Sequence, residues 1–137
     1  MDKSLFASGL SNSTEKIPLS ILVVDDDPLV RRAVGRTLEQ LGHKVTLAAS
    51  VQEALEVADR AWPHLVFADF HLGDQQKTGL ALIEALKERR PDTFVALMSG
   101  RIVSVSSTAD LFLPKPLTMD AIGLAIETYL QQRANYS

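Results

Sequence analysis

The chain has 137 residues, 46% of them hydrophobic, and 14 basic against 17 acidic side chains give a net charge of -3; it has room for one hydrophobic core and little else. The two signs are mixed along the chain, so no basic tail or stripe argues for nucleic acid, and no apolar run approaches the roughly 20 residues that span a membrane. The absence of cysteine removes disulfides, thiolate catalysis and zinc-thiolate sites and fits a reducing, cytoplasmic setting.

Residues 1–19 are rich in Ser, Asn, Thr and Lys without periodicity and read as a flexible N-terminal tail. Their one apolar run, Leu5-Phe6-Ala7, is too short for a secretory signal. The domain is expected over 20–131, with 132–137 as a C-terminal tail. Ile21 to Val24 is its first strand. A helix follows from Pro28 to Leu41, with Pro at a first-turn position and Asp26 or Asp27 available to cap it; Val30, Val34, Leu38 and Leu41 form its apolar stripe. Gly42 ends that helix, and Val45 to Ala48 is a second strand. Ser50 with Glu53 three residues on forms a capping box for a helix lined by Val51, Ala54, Leu55 and Ala58 and terminated by Pro63. Leu65 to Ala68 is the third strand. A polar loop carrying Gly73 leads to a helix from Gly79 to Arg89 that turns Leu82, Ile83 and Leu86 inward, and Phe94 to Met98 is the fourth strand. Ser99 to Asp110 is too short for a full crossover helix with comfortable loops, so one or two turns around Ile102 to Ser107 are expected. Leu111 to Leu113 is the fifth strand, and a last helix from Thr118 to Gln131 uses Met119, Ile122, Ile126 and Tyr129.

Apolar strands alternating with helices predict an α/β layer fold, with helices on both faces of a five-stranded parallel sheet. Ligands of such sheets sit beyond the carboxyl ends of the strands. The polar residues at those ends are Asp25, Asp26 and Asp27 after the first strand, Asp69 at the third, Ser99 after the fourth and Lys115 just past the fifth. A carboxylate cluster of this kind is costly unless a cation or a proton shares it. Two carboxylates from the first strand and one from the third can supply oxygens to Mg2+, which keeps waters that a phosphate can replace. A carboxylate can also attack phosphorus to give an acyl phosphate, and a hydroxyl and an ammonium beside it would spread the phosphoryl charge.

These same stretches resemble the receiver domain of bacterial two-component response regulators. ILVVDDDPLVRR looks like the family's opening strand and acidic pair, VFADF carries its phosphoacceptor, ALMSG its switch hydroxyl and FLPKP its lysine. The resemblance covers about residues 20–131 and implies a doubly wound, CheY-like sheet of strand order 2-1-3-4-5, its fourth-helix region short or degenerate. By position it implies that Asp25 and Asp26 hold Mg2+, or Mn2+ as a substitute, with Asp69 and the backbone carbonyl of His71. It further implies that Asp69 is phosphorylated by a sensor histidine kinase or phosphotransfer protein, that Ser99 and Lys115 meet the phosphoryl group, and that Phe112 is a rotamer switch. The side chains of His71 and Arg101 would modulate phosphate lifetime through water access. The Lys115-Pro116 bond resembles one that is cis in the family. Catalysis would be limited to self-phosphorylation from a donor and autodephosphorylation. The signal would pass to an unknown downstream protein, with no direct contact to nucleic acid or membrane, and the family's use of this surface is compatible with a homodimer.

Two departures stand out. The loop from Asp69 to Gly79 is slightly long, with Leu72-Gly73 where Pro often replaces the glycine, and Ser99 to Lys115 is short by more than a helical turn. The second departure touches the surface on which receivers commonly signal, and it keeps open a pseudo-receiver that binds partners without phosphorylation. Asp25-Asp26-Asp27 also satisfies the DxD pattern of haloacid dehalogenase-type phosphatases, but Leu29 stands where Thr or Val is expected, and the chain lacks a substantial cap.

Overall fold

The computed structural model describes residues 17–72, 78–100 and 109–135. In chain order these form β1 (Ser20–Val24), α1 (Pro28–Gln40), β2 (Lys44–Ala48), α2 (Val51–Arg60), β3 (Leu65–Asp69), α3 (Gly79–Arg89), β4 (Phe94–Ser99), β5 (Leu111–Pro114) and α4 (Met119–Asn135). The five strands are parallel, as the βα alternation predicts, in the order β2-β1-β3-β4-β5, the doubly wound order that the family resemblance implies. Gly73, Arg101, the turns expected at Ile102 to Ser107 and most of the N-terminal tail lie outside the described residues.

Strand alternation divides the core in two. Ile21, Val23, Leu65, Phe67, Phe94, Ala96 and Met98 face α1 and α4, where they meet Val34, Leu38, Ile122 and Ala125. Leu22, Val24, Val66, Ala68, Val95 and Leu97 face the other way, against Val51, Ala54 and Ala58 of α2 and Leu82, Ile83 and Leu86 of α3. The period of two along a strand makes this division automatic once both faces are covered. Two-sided burial holds along β3 and β4 and for all of β1 but its first residue. The edge strands are covered on one side: Lys44 and Thr46 of β2 and Phe112 and Pro114 of β5 are exposed.

Most differences from the sequence expectation lie at element ends. Leu41, expected in the apolar stripe of α1, is instead its C-cap and is exposed. Gly42, at φ 98°, then closes the helix: its N–H donates to Glu39 O and the N–H of His43 to Leu38 O, the paired bonds of a Schellman stop that a side chain at positive φ would strain. At α2, Ser50 Oγ accepts from Glu53 N–H as expected, but Glu53 Oε1 accepts from Ala49 N–H rather than from Ser50. The box is thus shifted by one residue and also secures the end of β2. Met119 is exposed rather than inward, because it starts α4 ahead of the buried Ile122, Ala125 and Ile126. With no glycine or proline to stop it, α4 runs four residues past Gln131 to Asn135.

Candidate functional site

The carboxyl end of the sheet gathers residues distant in sequence. β1 ends at Val24, and Asp25 continues its line, with its N–H donating to Ala48 O of β2. Asp25 is fully buried. Its Oδ1 accepts from Asp27 N–H at 2.9 Å, while Asp27 is the N-cap of α1 and accepts from Leu29 N–H at 2.9 Å. The triplet therefore divides its labour: Asp27 starts the helix, Asp25 turns inward and Asp26 stays exposed at the mouth. One carboxylate oxygen from each of Asp25, Asp26 and Asp69 lies within 4.8 Å of the other two.

Lys115 enters this cluster from the opposite edge. The β4–β5 register ends with Ser99 beside Pro114, and Lys115 N–H extends it by donating to Ser99 O at 2.8 Å. The Lys115-Pro116 bond is cis. From there Lys115 Nζ reaches Asp25 Oδ2 at 2.8 Å and Asp69 Oδ1 at 3.3 Å, so one ammonium bridges carboxylates from two strands. Burial alone would lower the lysine pKa, but the hydrogen bond and charge of Asp25, joined by those of Asp69, hold it above its ordinary value. Lys115 therefore stays charged at neutral pH.

Asp69 is buried at the end of β3. Burial, and then the charge of Asp25, push its pKa up; the charge of Lys115 and a hydrogen bond from the backbone N–H of His71 pull the other way without cancelling the rise. The backbone on its C-terminal side is held tightly. Phe70 N–H donates to Met98 O and Gly79 N–H to Phe70 O, both at 2.8 Å, and His71 bridges Thr78. Thr78 caps α3, its Oγ1 accepting from Ala81 N–H at 3.3 Å.

The other expected residues fall as follows. Ser99 is buried at the end of β4. Phe112 sits on β5 with 40% of its surface exposed. The His71 ring is on the surface, edge-on to Phe70 at 4.8 Å between centroids. Arg31 is a residue that the motif reading passes over. Its Nη1 donates to Asp25 O at 2.7 Å, tying the first turn of α1 to the site; its only sequence signal is a cation about one turn into the helix that follows the acidic triplet.

This donor set fits a hard divalent cation. Three carboxylates face one ammonium, all the candidate ligand atoms are oxygens close enough together to approach one ion, and the exposed Asp26 leaves a side open to the waters that such a cation keeps. The nucleophile is a separate matter. In a haloacid dehalogenase arrangement Asp25 would attack phosphorus, yet Asp25 is fully buried with both oxygens engaged. Asp69 has the longer lysine contact and the raised pKa.

Comparison with known proteins agrees with this geometry. The family model described as the response regulator receiver domain matches residues 21–127. The acid tolerance regulatory protein ActR of Sinorhizobium medicae is 34% identical over 113 residues, covering 78% of this chain and 57% of that protein. The nitrogen assimilation regulatory protein NtrX of Azorhizobium caulinodans is 30% identical over 118 residues, covering 81% of this chain and 26% of that one. The chain thus spans about half the length of ActR and about a quarter of NtrX. Among solved structures, the receiver domain of NtrX from Brucella abortus superposes with a TM-score of 0.75 at 32% identity, over 81% of this chain and 98% of that one. A CheY-like receiver from Methanospirillum hungatei JF-1 gives 0.80 at 24% identity, over 88% of this chain and 100% of that one, a likeness of fold. With the matched residues running from β1 into α4 and the acidic cluster at the strand ends between them, the chain belongs to the response regulator receiver domain family.

Proposed function

We propose that this domain takes a phosphoryl group from a histidine kinase or phosphotransfer protein onto Asp69 and signals through the conformational change that follows. The observation that carries the reading is the single ammonium of Lys115 shared between Asp25 and Asp69 at 2.8 and 3.3 Å. Asp25, Asp26, Asp69 and the backbone carbonyl of His71 would hold Mg2+, with Mn2+ as a substitute, and the cation supplies charge neutralisation for a phosphoryl group entering an anionic site.

In the transfer, an Asp69 oxygen attacks phosphorus as the phosphorus–nitrogen bond of a phosphohistidine breaks, and the electron pair leaves with the imidazole. Lys115 then turns its Asp69 contact toward a phosphoryl oxygen while keeping Asp25, and the Ser99 hydroxyl donates to another. Lys115 already stands against both carboxylates, so little reorganisation of the ammonium opposes the step, whereas the Ser99 hydroxyl moves to make its bond. Movement of Ser99 would let Phe112 leave its exposed position, and a change of that kind on β5 is what a downstream protein can read. His71 and Arg101 would set how readily water reaches the acyl phosphate.

The test is intact-mass measurement of wild type and Asp69→Asn with acetyl phosphate, with and without Mg2+. One phosphoryl mass is expected on wild type, dependent on the metal and absent from the variant. No Asp69-dependent adduct, with a donor verified on another receiver, would leave this domain as an interaction module that works without phosphorylation.

A further inference from the structure

Gly79 opens α3 directly behind Asp69 and is buried. It is not needed for its backbone angle, since Gly42 is the positive-φ glycine among the described residues. Nor does helix formation favour it, since glycine is a weaker helix former than alanine. Its reason is space. A Cβ at this position would lie 2.3 Å from Asp69 O, 2.9 Å from Leu97 Cδ1 and 3.0 Å from Phe70 Cα.

Two of those three neighbours are backbone atoms pinned from both sides. Phe70 N–H is bonded to Met98 O and Gly79 N–H to Phe70 O, so the clash cannot be absorbed by rotating a side chain. A methyl group must displace either the start of α3 or the backbone of Asp69 by roughly 1 Å to restore ordinary contact.

We infer that Gly79 is a positioning residue for Asp69: its missing side chain lets the N-terminus of α3 close against the Asp69 carbonyl and so fixes where the carboxylate meets Lys115 and Asp25. This rests on the phosphoacceptor reading for its chemical consequence and on geometry alone for its structural one. A displacement of about 1 Å at a reacting group costs about a hundredfold in rate, far more than a modest loss of stability costs a protein that remains folded.

The experiment compares wild type, Gly79→Ala, Gly79→Ala/Leu97→Val and Gly123→Ala. Gly123 is also helical, but a Cβ there meets nothing within 4 Å. The rate of Asp69 phosphorylation by acetyl phosphate is measured per folded molecule, alongside amide hydrogen exchange at Phe70. Gly79→Ala is expected to fold, to react about a hundredfold more slowly and to exchange the Phe70 amide faster, with Gly123→Ala like wild type in both. The Leu97→Val addition removes only the side-chain contact and is expected not to restore the rate. Reaction of Gly79→Ala at the wild-type rate, rescue by Leu97→Val, or loss of cooperative unfolding in Gly79→Ala would each overturn the assignment. If wild type itself takes no adduct, the phosphoacceptor reading fails separately, and exchange at Phe70 still decides whether Gly79 holds this backbone in place.

Discussion

At the scale of single residues, the site is a contest between two buried carboxylates for one ammonium. Asp25 holds the shorter contact with Lys115, and Asp69 is left with burial and a like charge that raise its pKa above the ordinary 3.8. In metal-free protein the folded state therefore holds a proton on Asp69 more readily than the unfolded chain does. The stability tied to this group is fully present below pH 3.8 and is lost as pH rises through the higher folded value. Asp69→Asn removes that loss. Urea unfolding in the absence of divalent metal is expected to show the variant more stable than wild type at pH 7, on the order of 1 kcal/mol, with the gap closing toward pH 4. A variant less stable than wild type at pH 7 would mean that the Lys115 contact outweighs burial and repulsion. The acidic residues and the lysine were legible in the sequence because each follows an apolar run, and a parallel sheet brings such positions to one edge. Arg31 and Gly79 were not legible as site residues. One acts through a backbone carbonyl and the other through absent volume, and neither leaves a motif that spacing can reveal.

At the scale of elements, the strand beginnings are held by side chains that take the place of strand neighbours. Two histidines grip the entry to β1: Leu19 N–H donates to His43 Nδ1 and Ser20 N–H to His64 Nδ1, each at 3.0 Å. An accepting Nδ1 cannot carry a proton. Burial lowers the pKa of both histidines from 6.5, and for His64 the Arg133 charge adds to it, with Tyr129 as the other α4 neighbour. A depressed folded pKa gives stability that is present above 6.5 and lost as pH falls through the folded values. His43→Asn/His64→Asn offers an acceptor oxygen without titration and is expected to flatten the fall in stability below pH 6.5. The loss it removes is about 1 kcal/mol for the bond to His43 and less for the exposed His64, which solvent screens. Denaturation curves at pH 7.5 and 5 check this, and an equal fall in wild type and variant would rule the histidines out as its source.

β5 begins in the same manner. Asp110 Oδ2 accepts from Val95 N–H at 2.9 Å and from Lys87 Nζ at 2.8 Å, while Asp110 N–H donates to Val95 O. This sets the register that delivers Lys115 five residues later. Asp110→Ala leaves the Val95 N–H without its acceptor and is expected to cost about 2 kcal/mol; Asp110→Asn, which keeps an oxygen there, should cost less. Thermal or urea unfolding of both variants reads the difference, and equal losses would show that the ion pair with Lys87 matters more than the strand contact. Neither anchor was foreseen. A histidine or aspartate at a loop end is ordinary in a sequence, and its partner is chosen by topology 15 to 44 residues away.

At the scale of the whole molecule, fold class was readable because a layered parallel sheet writes itself as apolar runs alternating with helical stripes, whereas the strand order came from the family resemblance, since alternation alone does not set which strands are neighbours. The ends of elements were less readable. Leu41 and Met119 carry the hydrophobicity of a core residue but sit where a helix is starting or stopping, and Ala125 is buried although the stripe read for the last helix passes over it. The described core also has clear bounds. Among the described residues, both core clusters and every partly buried residue packed on them fall between Leu19 and Tyr129, and the candidate site from Asp25 to Lys115 lies inside those bounds. The hydrogen bonds that close the first strand begin at Leu19. A chain trimmed to residues 17–135 therefore retains both faces of the sheet, both edges and the full length of α4. It is expected to unfold cooperatively with the same midpoint as the 137-residue chain and to take the phosphoryl group at the same rate. Calorimetry and intact-mass kinetics on the two chains decide the matter. A lower midpoint would assign part of the stability to residues outside 17–135, and an unchanged midpoint with a slower adduct would place an influence of those residues at the phosphorylation site.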